Sequence, residues 1–555
     1  MKNLLNKKLH VKHVALFIVL PLAGVLVFLI LLLRAGKNAN IPPETRAGTA
    51  AHTAVKNTSA PDTSALGMLN GYVDSLNSSG RLFGGSWSFY LTELNSGKPI
   101  CSVNIDHGLA PASVMKIVTT GTALSMLGAD FRFSTLLQYE GKIDSASALS
   151  GGRKFKILNG NIYIKGGGDP SLGSETFGSS VDDIMKEWAT AVKKTGIDSI
   201  AGNIIADGQS FESDPVPQCW TWEDMQCDYG TGPCGLNIHE NVFDMLVTPG
   251  KRGTTIKITP PIPGLKLYNE IIHNPAVPRS YVYVVGAPFQ FERTAMGEVS
   301  AAMEGKSAIP DPALFCAQEL KSELKKIGIG VRDTPTTLRL IRLSRISSGS
   351  IEVSPEDENG SEPKSDGRKR ERKLILEEHS PTLAELVYHT NQISQNFYAE
   401  SILRGLAWKL NGFGSETGGI DIIYRFWRAK GIDLRGLCMV DGCGLARMNS
   451  ITTRQIVEML REYAHDSAVF PAFYKSLPVA GETGTIRKLA DGTEAEGNLH
   501  AKSGTMARIK AYSGYVKTRS GKMLCFAMIG NNTLWSETEL TGKFERLFVL
   551  MARLP

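Results

Sequence analysis

In some stretches of this chain hydrophobic and polar residues alternate with a period of two. In others the hydrophobic residues recur every three to four positions, as in a helix. Alternation over Ser86–Glu93 predicts a strand. Helical spacing over Ser113–Leu127 predicts a helix that begins just after a proline. From about residue 131 to residue 376 the pattern changes to many short strands and turns. Two amphipathic helices are predicted inside this region, near Val181–Thr195 and Pro312–Ile327.

The helical pattern returns after residue 377 in the stretches LAELVYHTNQI, FYAESILRGLAWKL and TTRQIVEMLREYA. Strands are predicted at Lys510–Lys517 and Lys522–Ile529, and a helix over about Ser536–Arg553 ends the chain. Residues 347–372 have hardly any apolar side chains, which predicts a long exposed loop. The length of 555 residues is enough for more than one domain.

One apolar run, Val14–Leu33, differs from all others because its twenty residues include no charged side chain. At about 1.5 Å per residue it spans about 30 Å, enough to cross the hydrocarbon core of a bilayer. It is also longer than a signal-peptide core of about 7–15 residues, which favours an uncleaved signal anchor over a cleaved signal. We therefore predict a transmembrane anchor in residues 1–37 and a flexible linker in residues 38–65.

The charge distribution supports this topology. The chain carries 61 Lys and Arg against 55 Asp and Glu, a net charge of +6. Residues 1–37 hold six cations and no acid, so the remainder of the chain is neutral. A neutral body excludes nucleic-acid binding through a broad basic face. Cations around the apolar run favour a cytoplasmic N-terminus, with the body outside the cytoplasm.

The eight cysteines include no C-x-x-C pair, which weakens zinc and thioredoxin-like interpretations. Cys219, Cys227 and Cys234 lie within sixteen residues. A disulfide within this group and three free thiols both remain open. Ten scattered histidines give no convincing ligand pair, so no metal and no cofactor is predicted.

Three short motifs carry candidate chemistry: Ser113-Val-Met-Lys116, Ser394-Gln-Asn396 and Lys502-Ser503-Gly504. Because Ser113 lies at the start of a predicted helix, Lys116 falls on the same helix face. A neutral lysine amine can accept the serine proton, and burial beside other cations lowers its pKa toward that state. Singly, each motif also fits a helix cap, a surface lysine or a turn, but the set in this order indicates serine acyl transfer.

The surroundings of the motifs suit an acyl-transfer cleft. Ser394 and Asn396 lie between two predicted helices, where short polar side chains can project into a cleft. Lys502 lies on a predicted strand, which can pair with an extended peptide. Gly504 permits close approach of the backbone. The N–H of Thr505 and the free N–H groups at the start of the Ser113 helix are candidate oxyanion donors.

At these motifs the chain resembles the serine penicillin-recognising enzymes, and more closely the class C low-molecular-mass penicillin-binding proteins of the D-alanyl-D-alanine carboxypeptidase/endopeptidase family. The resemblance runs from about residue 66 to the C-terminus, in segments such as APASVMKIVTTGTAL, ISQNFYAE, VDGCGLARMN and AKSGTM. It implies an α+β multidomain fold with a β-lactamase/transpeptidase-like domain, an antiparallel sheet flanked by helices. That domain would comprise residues 66–130 and 377–555, with two small mainly-β domains inserted at 131–376.

The resemblance also implies a role for each motif residue. Ser113 is the acylated nucleophile and Lys116 its base. Ser394 relays protons toward the leaving amine, Asn396 holds the substrate amide, and Lys502 supplies positive potential. Substrate binding is implied for Ser503, Gly504 and Thr505 of the third motif. It is also implied for three residues that match a diaminopimelate-binding set in some family members: Asp224, Tyr229 and Arg447. A surface turn and a structural salt bridge are the alternatives for the last three.

Two departures from the family pattern accompany the resemblance. Lys-Ser-Gly replaces the usual Lys-Thr-Gly but keeps the hydroxyl. The family's Asp-Gly-Ser-Gly-Leu-Ser reads Asp441-Gly-Cys443-Gly-Leu-Ala446, which removes two hydroxyls near the cleft. Cys443 is therefore either a reactive thiol or an inert packing residue.

The function that the resemblance implies is a serine DD-peptidase that acts on peptidoglycan peptides and is acylated by β-lactams. Carboxypeptidase and endopeptidase activities stay open because they differ only in the leaving group. The alternatives are a β-lactamase or esterase that uses the same serine, and a non-catalytic peptidoglycan-binding scaffold. The expected location is the periplasmic side of a bacterial envelope, with the protein held by the N-terminal helix or secreted after cleavage.

Overall fold

The computed structural model of this chain describes residues 63–147, 154–225, 227–348 and 371–555. These ranges belong to one compact unit that runs from Asp62 to Pro555. The predicted anchor Val14–Leu33 and most of the predicted loop 347–372 lie outside the described residues. Within the described ranges, no helix combines the length and apolar character needed to cross a bilayer.

The secondary structure falls into three consecutive parts. The first part contains α1 (Ala65–Asn77), β1 (Ser86–Glu93), β2 (Pro99–Val103) and α2 (Met115–Leu127). The strands of the second part are β3 (Ser134–Ser147), β4 (Lys154–Gly166), β5 (Ser199–Ile200), β6 (Ile204–Asp207), β7 (Val242–Gly250), β8 (Gly253–Thr259), β9 (Lys266–His273), β10 (Tyr281–Val285), β11 (Glu292–Val299), β12 (Met303–Ala308), β13 (Gly330–Val331), β14 (Thr336–Thr337) and β15 (Lys373–His379).

The helices of the second part are α3 (Val181–Lys194), α4 (Trp222–Met225), α5 (Pro312–Lys326) and α6 (Leu338–Ser347). The third part contains α7 (Leu383–Ile393), α8 (Asn396–Asn411), α9 (Glu416–Ala429), α10 (Thr453–His465), α11 (Phe470–Ser476), β16 (Leu499–Met506), β17 (Ile509–Lys517), β18 (Met523–Asn531) and α12 (Glu537–Ala552).

The first and third parts share an antiparallel five-stranded sheet with the order β16–β17–β18–β1–β2. Residues of α1 and α12 pack in one apolar cluster with this sheet, and residues of α2 and α10 pack in another. Strand β17 is accordingly buried at every position except its last. A sheet covered on both sides by helices is the antiparallel sheet flanked by helices that the resemblance implies.

The second part consists mainly of sheets. A seven-stranded sheet is built around the long hairpin of β3 and β4, and it packs against α3 and α5. Two three-stranded sheets follow, with the orders β12–β7–β8 and β10–β11–β9. The predicted β character and both predicted helices of this region are confirmed. The length of β3 and β4 and the presence of α6 are not predicted by the sequence pattern.

The second part leaves and rejoins the rest of the fold at one point. Ser380 donates its backbone N–H to the Phe133 carbonyl at 3.0 Å, and its Oγ accepts from the Phe133 N–H at 2.9 Å. Leu383 then donates to the Phe131 carbonyl at 2.7 Å. Strand β15 pairs with β3, so the boundary predicted at 376/377 falls inside this strand.

Local capping fixes where the flanking helices begin. Thr382 and Glu385 form a reciprocal capping box at the start of α7, and Ser536 and Glu539 do the same at α12. Each box satisfies backbone N–H groups that have no partner within the helix. The C-terminal helix predicted over about Ser536–Arg553 is confirmed within one residue at each end.

Candidate active site

Ser113 lies in a tight turn that opens helix α2. Residues Ala112–Val114 form one 3₁₀ turn, and Ala112 has φ +47°, a left-handed conformation that non-glycine residues adopt at a cost of about 1–3 kcal/mol. This turn leaves Ser113 half-buried, with its hydroxyl facing Lys116. The Lys116 Nζ donates to Ser113 Oγ at 3.0 Å. The predicted placement of the two side chains on one helix face is therefore observed.

Lys116 is completely buried and makes three hydrogen bonds. Besides Ser113, its Nζ donates to Asn396 Oδ1 at 2.6 Å and to the Cys443 carbonyl at 2.8 Å. Burial lowers the pKa of Lys116, while Cys443, Asp441 and Glu400 act in the opposite direction. A lysine with a lowered pKa reaches its neutral form more readily, and in that form its lone pair can accept the Ser113 proton.

The second motif sits at the junction of α7 and α8. Ser394 ends α7 with φ +62°, and Asn396 begins α8. The turn brings Ser394 Oγ to 2.9 Å from the Lys502 Nζ, which donates to it. Asn396 Nδ2 donates to the Tyr229 carbonyl at 3.0 Å. Asn396 therefore links Lys116 to a segment of the second part of the fold.

The third motif lies on the edge strand β16. Lys502 is completely buried, and its Nζ also donates to the Ser503 carbonyl at 2.8 Å. Burial and the charge of Lys116 hold the pKa of Lys502 well below its usual value. A bound carboxylate would reverse this effect, because an opposite charge nearby favours the ammonium form.

Hydroxyl groups of the third motif contact neighbours that the sequence analysis did not select. Ser503 Oγ donates to Thr485 Oγ1 at 2.7 Å, and Lys510 Nζ donates to Thr505 Oγ1 at 2.9 Å. Lys510 also pairs with Glu537 at 3.2 Å. Lys510 thus places a second lysine beside the third motif. Its place opposite Thr505 in the β16–β17 register depends on strand pairing, which no local motif reveals.

Gly504 lets β16 pass directly against the turn that carries Ser113. A Cβ at this position would lie 2.4 Å from the Pro111 carbonyl oxygen and 3.1 Å from the Val114 nitrogen. Both of these contacts are backbone atoms and cannot rotate away. The glycine predicted to permit close approach does so at this crossing.

We expect Gly504→Ala to lower the free energy of unfolding by about 1–3 kcal/mol and to slow acylation of Ser113, because the strand and the turn must separate. Thermal unfolding and the rate of penicillin labelling measure the two effects. Gly542→Ala is the matched control, since Gly542 lies in α12 with nothing within 4 Å of its added Cβ. That change should stabilise the protein by up to about 1 kcal/mol. Equal changes in unfolding free energy and in labelling rate for the two variants would contradict the close approach of β16 to the Ser113 turn.

Of the three residues predicted to bind diaminopimelate, Tyr229 is the one with a hydrogen bond to a motif residue within the described ranges. Asp224 is partly exposed and accepts hydrogen bonds from the N–H and Oγ1 of Thr221 at 3.1 and 2.7 Å. Tyr229 reaches Asn396 through its carbonyl, and its side chain is 40% exposed. Arg447 is exposed, and no hydrogen bond or ion pair within the described residues joins it to Asp224 or Tyr229.

The segment around Cys443 packs behind Lys116. Cys443 is completely buried, and burial raises the pKa of its thiol well above the usual value, so it remains protonated. This environment fits inert packing, one of the two interpretations left open by the sequence. All eight cysteines lie within the described residues and are free thiols.

Glu400, Asp441 and Cys443 place ligand atoms within 4.8 Å of one another, close enough to consider a metal ion. The lone pairs of Asp441 are already occupied, because a carboxylate offers about four sites and four donors use them. These donors are Gly444 N, Ala446 N, Asn449 Nδ2 and Trp220 Nε1. Asp441 therefore acts as a fold-organising acceptor.

The fold is that of the low-molecular-mass penicillin-binding proteins. The chain matches the crystal structure of penicillin binding protein 4 from Haemophilus influenzae with a TM-score of 0.70, at 19% sequence identity, over 87% of this chain and 99% of that one. The same protein complexed with a β-lactam matches with a TM-score of 0.64 at 18% identity, over 86% of this chain and 97% of that one. At this level of identity the likeness establishes the fold.

The chain belongs to the D-Ala-D-Ala carboxypeptidase 3 (S13) family, whose model matches residues 69–339 and 362–553. It is 26% identical over 454 residues to the D-alanyl-D-alanine carboxypeptidase of Actinomadura sp. (strain R39), which covers 79% of this chain and 76% of that protein. It is 24% identical over 501 residues to the penicillin-sensitive carboxypeptidase A of Dictyostelium discoideum, over 86% of this chain and 88% of that protein.

Proposed function

We propose that this protein is a serine DD-peptidase that cleaves peptidoglycan stem peptides through an acyl-enzyme on Ser113 and is acylated by β-lactams at the same residue. The observation that carries the proposal is the 3.0 Å contact between Ser113 Oγ and the Nζ of the buried Lys116. Membership of the S13 family supports it, because the residues that match the family model include both the first and the third motif.

The mechanism follows from the geometry of the three motifs. Ser113 Oγ attacks the D-Ala carbonyl carbon while its proton moves to the neutral Lys116 amine. The backbone N–H groups of Ser113 and Thr505 are the proposed donors to the oxyanion. Ser394 Oγ, held by Lys502 at 2.9 Å, gives its proton to the leaving amine and regains one from Lys116 as the peptide C–N bond breaks, so Lys116 returns to its neutral form. Water then attacks the ester and restores the Ser113 hydroxyl.

The proposed substrate-binding groups divide between the two ends of the peptide. Lys502, Ser503 and Thr505 face the terminal carboxylate, with Gly504 permitting the close fit. Lys510 adds charge beside Thr505. Asp224, Tyr229 and Arg447 are proposed to hold a diaminopimelate side chain, an amino-acid end for which an anion and a cation are complementary.

We expect Asp224→Asn and Arg447→Ala each to weaken turnover of diaminopimelate-containing peptides by roughly tenfold, with little change in acylation by benzylpenicillin, because the drug lacks that side chain. Steady-state kinetics on defined peptides and penicillin labelling measure the two quantities. Asp421→Asn and Arg425→Ala are the matched controls, because these two exposed residues pair with each other on α9 and have no part in the proposed pocket. Equal losses for both substrates would count against this pocket.

The proposed domain division assigns residues 66–130 and 377–555 to the catalytic domain and residues 131–376 to two inserted mainly-β domains, with strand β15 carrying the inserted sheet on to His379. The separate five-stranded and seven-stranded sheets support this division. We further propose that Val14–Leu33 anchors the protein in the inner membrane with the catalytic domain on the periplasmic side. The twenty-residue apolar run supports the anchor. Alkaline carbonate extraction of cell membranes tests it, since release of the protein would contradict an anchor.

The central experiment incubates the full-length protein with benzylpenicillin and follows its intact mass. A long-lived adduct that forms on Ser113 supports the DD-peptidase. Rapid turnover of the drug would indicate a β-lactamase instead, and complete absence of an adduct would favour a non-catalytic peptidoglycan-binding scaffold. Digestion of purified wall fragments then separates release of terminal D-Ala from cleavage of crosslinks.

A further inference from the structure

A carboxyl group that the mechanism above does not use lies directly behind Lys116. Glu400 belongs to α8, one turn after Asn396, and its side chain is completely buried. Its Oε1 accepts from the backbone N–H of Gly442 at 2.8 Å and of Cys443 at 2.7 Å. A buried carboxyl group is costly unless hydrogen bonds offset its desolvation, so this position calls for an explanation.

The backbone that Glu400 holds is the backbone on which Lys116 rests. The Cys443 carbonyl accepts from Lys116 Nζ at 2.8 Å, and the Gly442 carbonyl accepts from Thr119 Oγ1 at 2.6 Å. Helix α8 therefore fixes the N–H side of this segment, and α2 contacts its carbonyl side. Three hydrogen bonds in succession therefore link Glu400 to Cys443, Cys443 to Lys116, and Lys116 to Ser113.

The charges around Glu400 favour its neutral form. Burial, followed by the charges of Asp441 on the adjoining loop and Glu416 on α9, raises the pKa of Glu400 to about 8, while Arg404 on its own helix opposes them. Cys443, which faces the same space, is a neutral thiol, and Lys116 is the cation nearest on α2. A protonated Glu400 can still accept hydrogen bonds at Oε1, and its Oε2 has no partner within the described residues.

We propose that Glu400 is a positioning residue for Lys116: it fixes the Gly442–Cys443 backbone so that the Lys116 amine stays aimed at Ser113 Oγ. The proposal deepens the proposed function and rests on it, since it concerns the aim of the base toward the nucleophile. What it adds is a hydrogen-bonding requirement at the position of Glu400, which an oxygen acceptor meets and an apolar side chain does not.

The test compares Glu400→Gln with Glu400→Ala in the full-length protein. Gln keeps an oxygen acceptor for the two N–H groups, so it should retain most of the wild-type rate of acylation by benzylpenicillin. Ala removes the acceptor and should slow acylation by about 100-fold, the loss that a misplacement of about 1 Å can cause. The pH midpoint of Lys116, followed by NMR of ¹³C-labelled lysine, should shift in the Ala variant and stay near the wild-type value in the Gln variant.

Asp311→Ala is the matched control for loss of a buried carboxylate. Asp311 is 3% exposed, caps helix α5 through the Leu314 N–H and pairs with Arg339. It should lower thermal stability without changing the Lys116 midpoint or the acylation rate of the folded protein. The proposal is overturned if the Glu400→Gln and Glu400→Ala variants lose acylation equally. It is also overturned if Glu400→Ala lowers thermal stability without changing the acylation rate or the Lys116 midpoint. The Lys116 midpoint needs no peptidase activity, so it tests the positioning role even if Ser113 proves not to be acylated.

Discussion

Ser113→Ala should abolish the penicillin adduct and lower peptidase turnover by at least about 1,000-fold. The expected loss is this large because Ser113 forms the acyl-enzyme in the proposed mechanism, and the remaining oxyanion donors and binding contacts supply only residual catalysis. Intact mass after incubation with benzylpenicillin measures adduct formation. Release of D-Ala from a defined pentapeptide measures turnover.

Ser125→Ala is the matched control for this change. Ser125 lies on the same helix α2, is partly buried, and donates its hydroxyl proton to the Gly121 carbonyl at 2.9 Å. Its replacement should leave the adduct and the turnover unchanged. A penicillin adduct that survives in the Ser113→Ala variant would show that another nucleophile carries the reaction.

Lys116→Met and Lys116→Arg should both slow acylation by about 100- to 10,000-fold, the range expected for loss of a general base. Met removes the amine, whereas Arg keeps a positive charge that it does not give up at ordinary pH. If Lys116 acted only through its charge, Arg would retain much of the rate. Stopped-flow labelling with a fluorescent penicillin measures this rate, and thermal unfolding identifies any variant that fails to fold.

The wild-type acylation rate should rise with pH and then level off. In the proposed mechanism Lys116 acts as a base only when neutral. Because burial lowers its pKa, the plateau should begin at a lower pH than the pKa of an exposed lysine would give. Lys326→Met should leave this profile unchanged, since Lys326 pairs with Glu323 in the second part of the fold. A rate that falls over the same pH range would contradict the neutral-amine mechanism.

The local features of the first and third parts of the fold are readable from the sequence because they depend on near neighbours. The spacing of Ser113 and Lys116 determines a shared helix face, and the buried pattern of β17 determines a strand. What the spacing does not reveal is that Lys116 also contacts Asn396 and the Cys443 carbonyl. These contacts arise from the packing of α2 against α8 and a distant loop, so the supporting role of Glu400 has no local signal.

The second part of the fold was harder to predict in detail. The Asn-Gly at 159–160 resembles a turn, yet the structure carries β4 straight through it. Gly160 faces Gly141 across the hairpin, and a Cβ at Gly160 would lie only 1.8 Å from the Glu140 carbonyl oxygen. Gly160 therefore allows β3 and β4 to approach closely and does not mark a turn. Helix α6 is a further element that the sequence pattern does not predict, and none of its residues is fully buried.

The orientation of Arg447 shows a further limit. Its position beside the buried Asp441 segment suggests a place at the cleft, but the side chain is exposed and makes no ion pair within the part of the chain that the structure describes. Sequence adjacency places a backbone and does not determine where a long side chain points. The diaminopimelate role of Arg447 therefore stays a prediction.

The hydrogen-bonded pair of Phe133 and Ser380 has a consequence for how the first and third parts of the fold assemble. These residues are 247 positions apart, but their mutual hydrogen bonds hold the chain ends of the second part together. An unstructured loop of that length would cost about 4 kcal/mol more to close than a loop of a few residues, at about 0.6 kcal/mol per doubling. Once the second part has folded, its two ends already lie side by side, and that entropic cost no longer opposes the meeting of α2 with α7 and α8.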